Sequence, residues 1–427
     1  MSKWIRTFTC AAVWLTVTPA FADPPAGSGQ SMPDEDRVTG KAPPPLSRDP
    51  RAPGEFGLRD DLTPAEFANL PLPYEAYRGA EILKMEPEFV HGIQSGLELI
   101  YLRRYNEARD HFARLEEQFP NTGIRAVADT LVWQALMLEN FDYRYDKQYW
   151  TSSKQARADL ESALATPGNE AWEHLLMAAI LGIESIHTMR QSQYLSALQL
   201  AFQAMDHIER SRDAAPNFVD LKLADGLYNY WRTVVTLSSK MLPDFGDHRV
   251  EGIEQMQIVE DTGLFIKPMA TLSLAFTWME ESKMKEAATA CARNRRLYPD
   301  NIVNNIVTGT VSIYRRDYDG ALRVLDHVHE IDENNARAHY WKGLAHLRKG
   351  DIEAAKREFT TYLDNEHLEK YQRSHTNYRL GQVAAREKDF RRAADHYEAS
   401  IKIDGNKSSK RALDRLKQRR RNGNIDW

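Results

Sequence analysis

Apolar and polar positions alternate with a helical period along most of the chain, and from Pro268 onward that pattern itself repeats. Taking Pro268, Ile302, Ala336 and Ser374 as first positions, a small residue stands at position 8 (Ala275, Gly309, Gly343, Gly381) and an alanine at position 20 (Ala287, Ala321, Ala355, Ala393). Position 24 holds Cys291, Leu325, Phe359 and Tyr397. The first three openings are 34 residues apart and the fourth follows after 38, so the third copy carries a four-residue extension around Asn365–Lys370. Each copy predicts two amphipathic helices joined by a tight turn. The small residues let the pair close up, and the larger residue at position 24 fills the layer against the next pair. A fifth copy opens at Phe89, with Gly96, Ala108 and Phe112 at the same three positions and Pro120 at its close. Tyr105 supplies a turn aromatic, as Tyr318 and Phe390 do later.

Between and around these copies the pattern loosens. Thr63-Pro64-Ala65-Glu66 reads as a helix start with a capping box, and a short helix is predicted over Tyr74–Met85. Helical patterns then run over 124–140, 152–165, 169–190, 193–214, 217–240 and 249–262. Two breaks interrupt them: Phe141–Trp150, with five aromatics in ten residues, and the loop Met241–His248. Gly182 with Ala197, and Gly226 with Gly252, fit worn copies of the small-residue positions. A last helix is predicted over Ser408–Arg421. The expected organisation is a leader over 1–22, a Pro-rich tether over 23–61, capping helices and a first repeat over 62–122, an irregular helical stretch over 123–262, four repeats over 263–405 and a basic capping helix and tail over 406–427.

Period, small-residue positions and the Pro299 stop together resemble the tetratricopeptide repeat. The resemblance implies an all-α solenoid, a right-handed superhelix of antiparallel helix pairs in one continuous array, and a protein that binds other proteins. In that family, positions 2, 5, 9 and 12 line the concave face. Carried onto this chain, they are Met269, Leu272, Phe276 and Met279; Val303, Ile306, Thr310 and Ile313; Arg337, Tyr340, Leu344 and Leu347; and His375, Tyr378, Gln382 and Ala385. The surface so implied grades from apolar to polar and suits an amphipathic helix or extended peptide. Where the family's carboxylate clamp places Lys and Asn, this chain has Leu272 and Phe276, Ile306 and Thr310, Tyr340 and Leu344, so capture of a C-terminal carboxylate is not expected. Cover of this face by the chain's own 23–61 segment or by another copy is the competing reading.

Composition narrows the function classes. A net charge of −5 and a pI of 6.3 give no bulk electrostatic case for nucleic acid. Lys3 and Arg6, an apolar run over Phe8–Val17 and Ala20-Phe21-Ala22 predict a cleaved export signal, and hence the periplasm of a Gram-negative bacterium or another envelope site. No transmembrane segment is expected in the mature chain. Removing the leader takes Cys10 and leaves Cys291, at packing position 24, as the only cysteine.

No catalytic motif is found; Gly92-Ile93-Gln94-Ser95-Gly96 has the wrong spacing for a nucleophile elbow. His327, His329, His339 and His346 are the closest histidines, but they lack an accompanying carboxylate cluster, and no metal or cofactor is expected. The one region suggestive of a pocket is Asp225–Trp231 with the following loop, where Trp231, Asp244, Asp247 and His248 are the candidates. The reading is therefore a non-catalytic envelope scaffold that binds a peptide or helix in its groove. The alternatives are an enzyme or small-ligand protein using residues 225–248, or a scaffold that self-associates. The basic helix over 408–421 is expected to cap the array, and contact with an anionic surface is its sharper reading.

Overall fold

The computed structural model describes residues 71–426, apart from 166–167, 169, 192 and 239–245. The leader, the tether, the Thr63–Glu66 start, Asp244 and Trp427 lie outside the described residues. Within them there are eighteen helices and no strand. They are α1 (Tyr74–Leu83), α2 (Pro87–Tyr101), α3 (Tyr105–Gln118), α4 (Ile124–Asn140), α5 (Asp146–Leu164) and α6 (Glu170–Arg190). Next come α7 (Tyr194–Ala214), α8 (Leu221–Ser238), α9 (Arg249–Thr262), α10 (Lys267–Glu280), α11 (Met284–Leu297) and α12 (Ile302–Tyr314). The chain closes with α13 (Tyr318–Ile331), α14 (Ala336–Lys349), α15 (Ile352–Leu363), α16 (Lys370–Arg386), α17 (Phe390–Asp404) and α18 (Lys407–Arg421). The fold is all-α, built of antiparallel helix pairs in the manner of an α-solenoid.

Where the sequence reading has one continuous array, the chain divides into two compact units. The first runs to Ala135 and resumes over Asp146–Asn294; the second takes Leu136–Tyr145 and everything from Arg295. The last turn of α4 and the five residues after it thus belong to the second unit, although they stand in sequence between two stretches of the first.

The repeat positions behave as their sizes require. Every position-20 alanine, Ala108, Ala287, Ala321, Ala355 and Ala393, is fully buried. A Cβ added at Gly309 would lie 2.9 Å from the Leu325 side chain, and one at Gly343 would lie 2.8 Å from the Phe359 ring. The same clash occurs between Gly96 and Phe112 and between Gly381 and Tyr397, so the pairing of positions 8 and 24 is a steric fit. Cys291 is buried in its layer. Gly226 and Gly252 meet backbone to backbone, a Cβ on either lying within 2.7 Å of the other's carbonyl oxygen, which is why α8 and α9 pack so closely.

The turn within each pair has a signature absent from the sequence pattern. Position 15 adopts a left-handed backbone in all five copies: Arg103 (φ 63°), Ser282 (60°), Arg316 (64°), Gly350 (99°) and Lys388 (65°). Only one of the five is glycine, and the other side chains bear the cost of φ > 0, about 1–2 kcal/mol each. Arg316→Gly and Lys388→Gly are therefore expected to stabilise the second unit by about 0.5–1 kcal/mol each, and Gly350→Ala to destabilise it by about 1 kcal/mol. Urea unfolding midpoints check this; unchanged or lowered midpoints for both glycine variants would contradict it.

Three helix starts depart from the sequence reading by four residues or more, that of α8 being Leu221 where 217 was expected. α5 begins at Asp146, six residues before the predicted 152, because Asp146 sits favourably in the first turn and Tyr149 turns fully inward. The break at 141–150 is therefore half helix. α16 begins at Lys370 where the repeat register opens at Ser374, so part of the four-residue extension becomes an added first turn of that helix. Glu369 and Gln372 close it with a reciprocal capping box.

Candidate partner-binding site

The residues that the family resemblance places on the concave face are mostly packed. In the first unit Met269 is 48 % exposed and Leu272 half-buried, whereas Phe276 and Met279 are buried. In the second, Val303, His375, Gln382 and Ala385 are half-buried, while Ile306, Thr310, Ile313, Arg337, Tyr340, Leu344, Leu347 and Tyr378 are buried. Tyr340 lies 5.3 Å from Tyr362 and 5.7 Å from Phe359, centroid to centroid, and Leu344 and Leu347 share its cluster. Gln382 Nε2 donates to Tyr378 Oη at 2.9 Å, and the Arg379 guanidinium stacks over the Tyr378 ring.

Part of the cover in the second unit comes from the chain itself, through Leu136–Tyr145. A helix leaves the carbonyls of its last turn without intrahelical partners, and that end carries the negative pole of its dipole. Here Arg337 Nη1 donates to the Leu138 carbonyl at 2.9 Å, and Asn335 Nδ2 donates to the Glu139 carbonyl at 3.2 Å. The N–H of Ala336, the first residue of α14, donates to Asn140 Oδ1 at 3.1 Å. Gln372 Nε2, in the first turn of α16, donates to the Phe141 carbonyl at 2.8 Å. Arg337 also lies over the Phe141 ring, 5.0 Å from its centroid. The negative end of one helix thus meets the positive starts of two others, with a cation beside it.

The added turn of α16 is what brings Gln372 to this point, and the rest of the extension sets Asn365 beside the buried Asp142. Asp142 is paired with Arg144 at 2.8 Å. Phe141 holds a left-handed backbone (φ 56°), strain of about 1–2 kcal/mol for a bulky residue. Sequence reasoning nominated Arg337 and singled out the aromatic break at 141. It missed Asn335, Gln372 and Asn140, whose only sequence signal is polarity at first-turn and last-turn positions.

The candidates around 225–248 face internal partners. Trp231 is buried edge-on to Tyr230, with ring centroids 5.1 Å apart. Asp225 pairs with Arg212 at 2.7 Å, and Arg232 lies over the Tyr228 ring. The backbone N–H of His248 donates to Thr233 Oγ1 at 3.1 Å, and its ring pairs with Glu251 at 2.9 Å. Burial alone would raise the Asp247 carboxyl, but the three hydrogen bonds it accepts from the fully buried Arg249, one from the backbone N–H and two from the guanidinium, hold it below the usual range. Among the described residues no three His, Cys, Asp or Glu side chains converge as a metal site, and no helix is long and apolar enough to cross a membrane.

Several of the histidines are paired with one another or with carboxylates. His329 and His339 stack with ring centroids 4.4 Å apart, and His339 bonds Glu358 at 2.6 Å. His327 pairs with Glu330 and Asp300, and His346 with Asp351. In the first unit, His174 and His207 face each other through their Nδ1 atoms at 2.9 Å, one donating and the other accepting. Burial, then the neighbouring His174 and Arg210, push His207 down to about 4. A folded value below the unfolded one, near 6.5, means stability is complete above 6.5 and is lost as pH falls from there toward 4. His207→Gln is expected to flatten that part of the stability–pH curve, read as urea midpoints between pH 7 and 4; an unchanged slope would count against the pair as its source.

A family model agrees on the repeat. Residues 313–377 match the tetratricopeptide repeat family model. Compared with curated proteins by sequence, the chain matches none. Among solved structures, MamA (residues 41 to end) from Desulfovibrio magneticus RS-1 is 20 % identical at a TM-score of 0.32, over 37 % of this chain and 86 % of that one. The human IFIT1 dimer with m7Gppp-AAAA is 10 % identical at a TM-score of 0.48, over 79 % and 87 %. The APC/C hetero-tetramer Cut9–Hcn1 is 14 % identical at 0.42, over 79 % and 71 %. Residues 313–377, from the end of α12 into α16, thus carry the tetratricopeptide repeat, and the same pairing of positions 8 and 24 recurs on either side of them.

Proposed function

We propose that this protein is a non-catalytic scaffold of a bacterial envelope, exported by its leader, which holds a peptide or helix of another protein along the inner face of its repeats. Tetratricopeptide repeats are interaction modules in general. The observation that supports the reading here is that the second unit already holds a helix end of its own chain, through Asn335, Arg337 and Gln372.

The test must spare the packed residues: Tyr340 and Leu344 belong to the core, and replacing them would unfold what is being tested. Half-buried Leu272, Val303 and His375 are the positions to change. The mature chain and its L272E/V303E/H375E variant would be immobilised beside each other and exposed to envelope extract. Proteins kept by the first and lost by the correctly folded second support the reading; equal retention removes the groove from it. Mass spectrometry of the exported chain should find its N-terminus at Asp23.

Two lesser contacts are proposed beside it, the second as an alternative to it. α18 buries Ala412, Leu413 and Leu416 as a cap and leaves Lys410, Arg411 and Arg419–Arg421 exposed, which suits a weak contact with an anionic surface. Stacking of repeats between copies would give self-association, visible as a mass that rises with protein concentration.

A further inference from the structure

The segment Leu136–Tyr145 is held both by its main chain and by side chains, Met137, Glu139, Asn140, Phe141 and Asp142 all being buried. Three of its carbonyls take the side-chain donors of Arg337, Asn335 and Gln372, and one side-chain oxygen, Asn140 Oδ1, takes the first N–H of α14. Two of these carbonyls, those of Leu138 and Glu139, stand in the last turn of α4, where any helix end presents the same groups; the third, that of Phe141, lies one residue past it. Two further features raise specificity. The Arg337 guanidinium covers an aromatic ring one residue past the helix, and Asn365 meets an acidic residue immediately after that ring. The resident segment is also an imperfect ligand, because its aromatic residue must adopt φ 56° to place both ring and carbonyl.

We propose that Asn335, Arg337, Asn365 and Gln372 form a receptor for the carboxy-terminal end of a partner helix. The chain's own Leu136–Tyr145 is its resident ligand, which a partner helix ending in an aromatic and an acidic residue must displace. The inference rests on the scaffold reading above and gives it a site and a ligand class. Dipole complementarity favours this occupant over an extended peptide: the starts of α14 and α16 and the Arg337 cation all present positive potential to the place where a helix's negative end sits. Binding a partner is then coupled to release of residues 136–145, so the groove is closed until a competitor of the same ending arrives.

The probe is a fluorescent, helix-stapled peptide with the sequence of residues 130–145, added to the full mature chain. In wild type the resident segment competes. In Asn140→Ala/Phe141→Ala, which removes the Ala336 acceptor and the ring under Arg337, affinity should rise at least tenfold. Adding Arg337→Ala and Gln372→Ala to that variant should abolish the gain. Equal affinity for wild type and the released variant, no binding to a released variant that still melts cooperatively, or indifference to Arg337 and Gln372 would each overturn the proposal.

Should the released variant fail to fold, hydrogen exchange on wild type decides. Saturating peptide should speed exchange of amides 136–145 several-fold and leave α13–α15 unchanged; no acceleration would reject displacement. Because the probe is synthetic, a failure here leaves the envelope-capture result standing, and a failed capture leaves this binding test intact.

Discussion

Arg249→Met is expected to destabilise the first unit by about 3–5 kcal/mol, because it strips a buried anion of its partner. The Arg249 side chain is 0 % exposed and that of Glu281 4 %, with Nη1 and Oε1 3.0 Å apart. Asp247 holds the other edge of the guanidinium at 2.7 Å, and Tyr230 Oη donates to Glu281 Oε1 at 2.8 Å. Burial pushes the Glu281 carboxyl above its ordinary value even with Arg249 pulling it down, so losing the arginine raises it further. An acid raised in the folded state costs stability when ionised. The deficit of the variant should therefore be full near pH 8 and shrink as pH falls toward 4.5, the ordinary value of a glutamate. Arg249→Met/Glu281→Gln should regain most of the loss, since a neutral amide no longer needs a cation. Urea unfolding of the three proteins at pH 8 and pH 5 measures this. A neutral single variant, or a double variant no better than the single, would show that the network contributes little.

The second large effect is expected at Asp220, where Ala should cost about 3–4 kcal/mol. Its buried carboxylate accepts the backbone N–H groups of Leu264 (2.7 Å), Phe265 (2.9 Å) and Ile266 (3.2 Å), the three residues leading into α10. Alanine would leave these donors buried without acceptors, and each orphaned group costs about 1–3 kcal/mol. Asp220→Asn keeps one acceptor oxygen and should lose roughly half as much. Amide exchange at Leu264, Phe265 and Ile266 localises the effect. If those amides stay protected in the alanine variant, water or another group replaces the carboxylate and the expected loss disappears.

Neither network was legible in the sequence. Arg249 and Asp247 are two residues apart, but Glu281 and Tyr230 come from elsewhere in the chain, and nothing local marks an arginine as buried. Asp220 reads as an ordinary polar residue at the start of a helix. Its partners lie 44 to 46 residues away.

The repeats, by contrast, were legible because their determinants are local and periodic. In four of the five copies a glycine at position 8 and a bulky residue at position 24 sit 16 positions apart on two adjoining helices, so one steric fit recurs along the chain. The position-15 backbone recurs equally regularly and was missed, since Arg, Ser and Lys tolerate left-handed geometry there without announcing it.

The sequence by itself thus determined the hairpin period, the small-to-large packing within each pair, the extension after α15 and the family of the repeat. Only the tertiary structure decided which of the positions inferred as a groove are buried. Positions 2, 5, 9 and 12 were inferred from resemblance as an open lining, yet most are buried, and in the second unit Arg337 is turned to the chain's own helix end. The reason is physical: carbonyls at the end of α4 carry no side-chain signature, and the residues that receive them lie 196 to 231 positions further along the chain. Pairing over such separations is fixed by packing and helix-end electrostatics, which no local periodicity records.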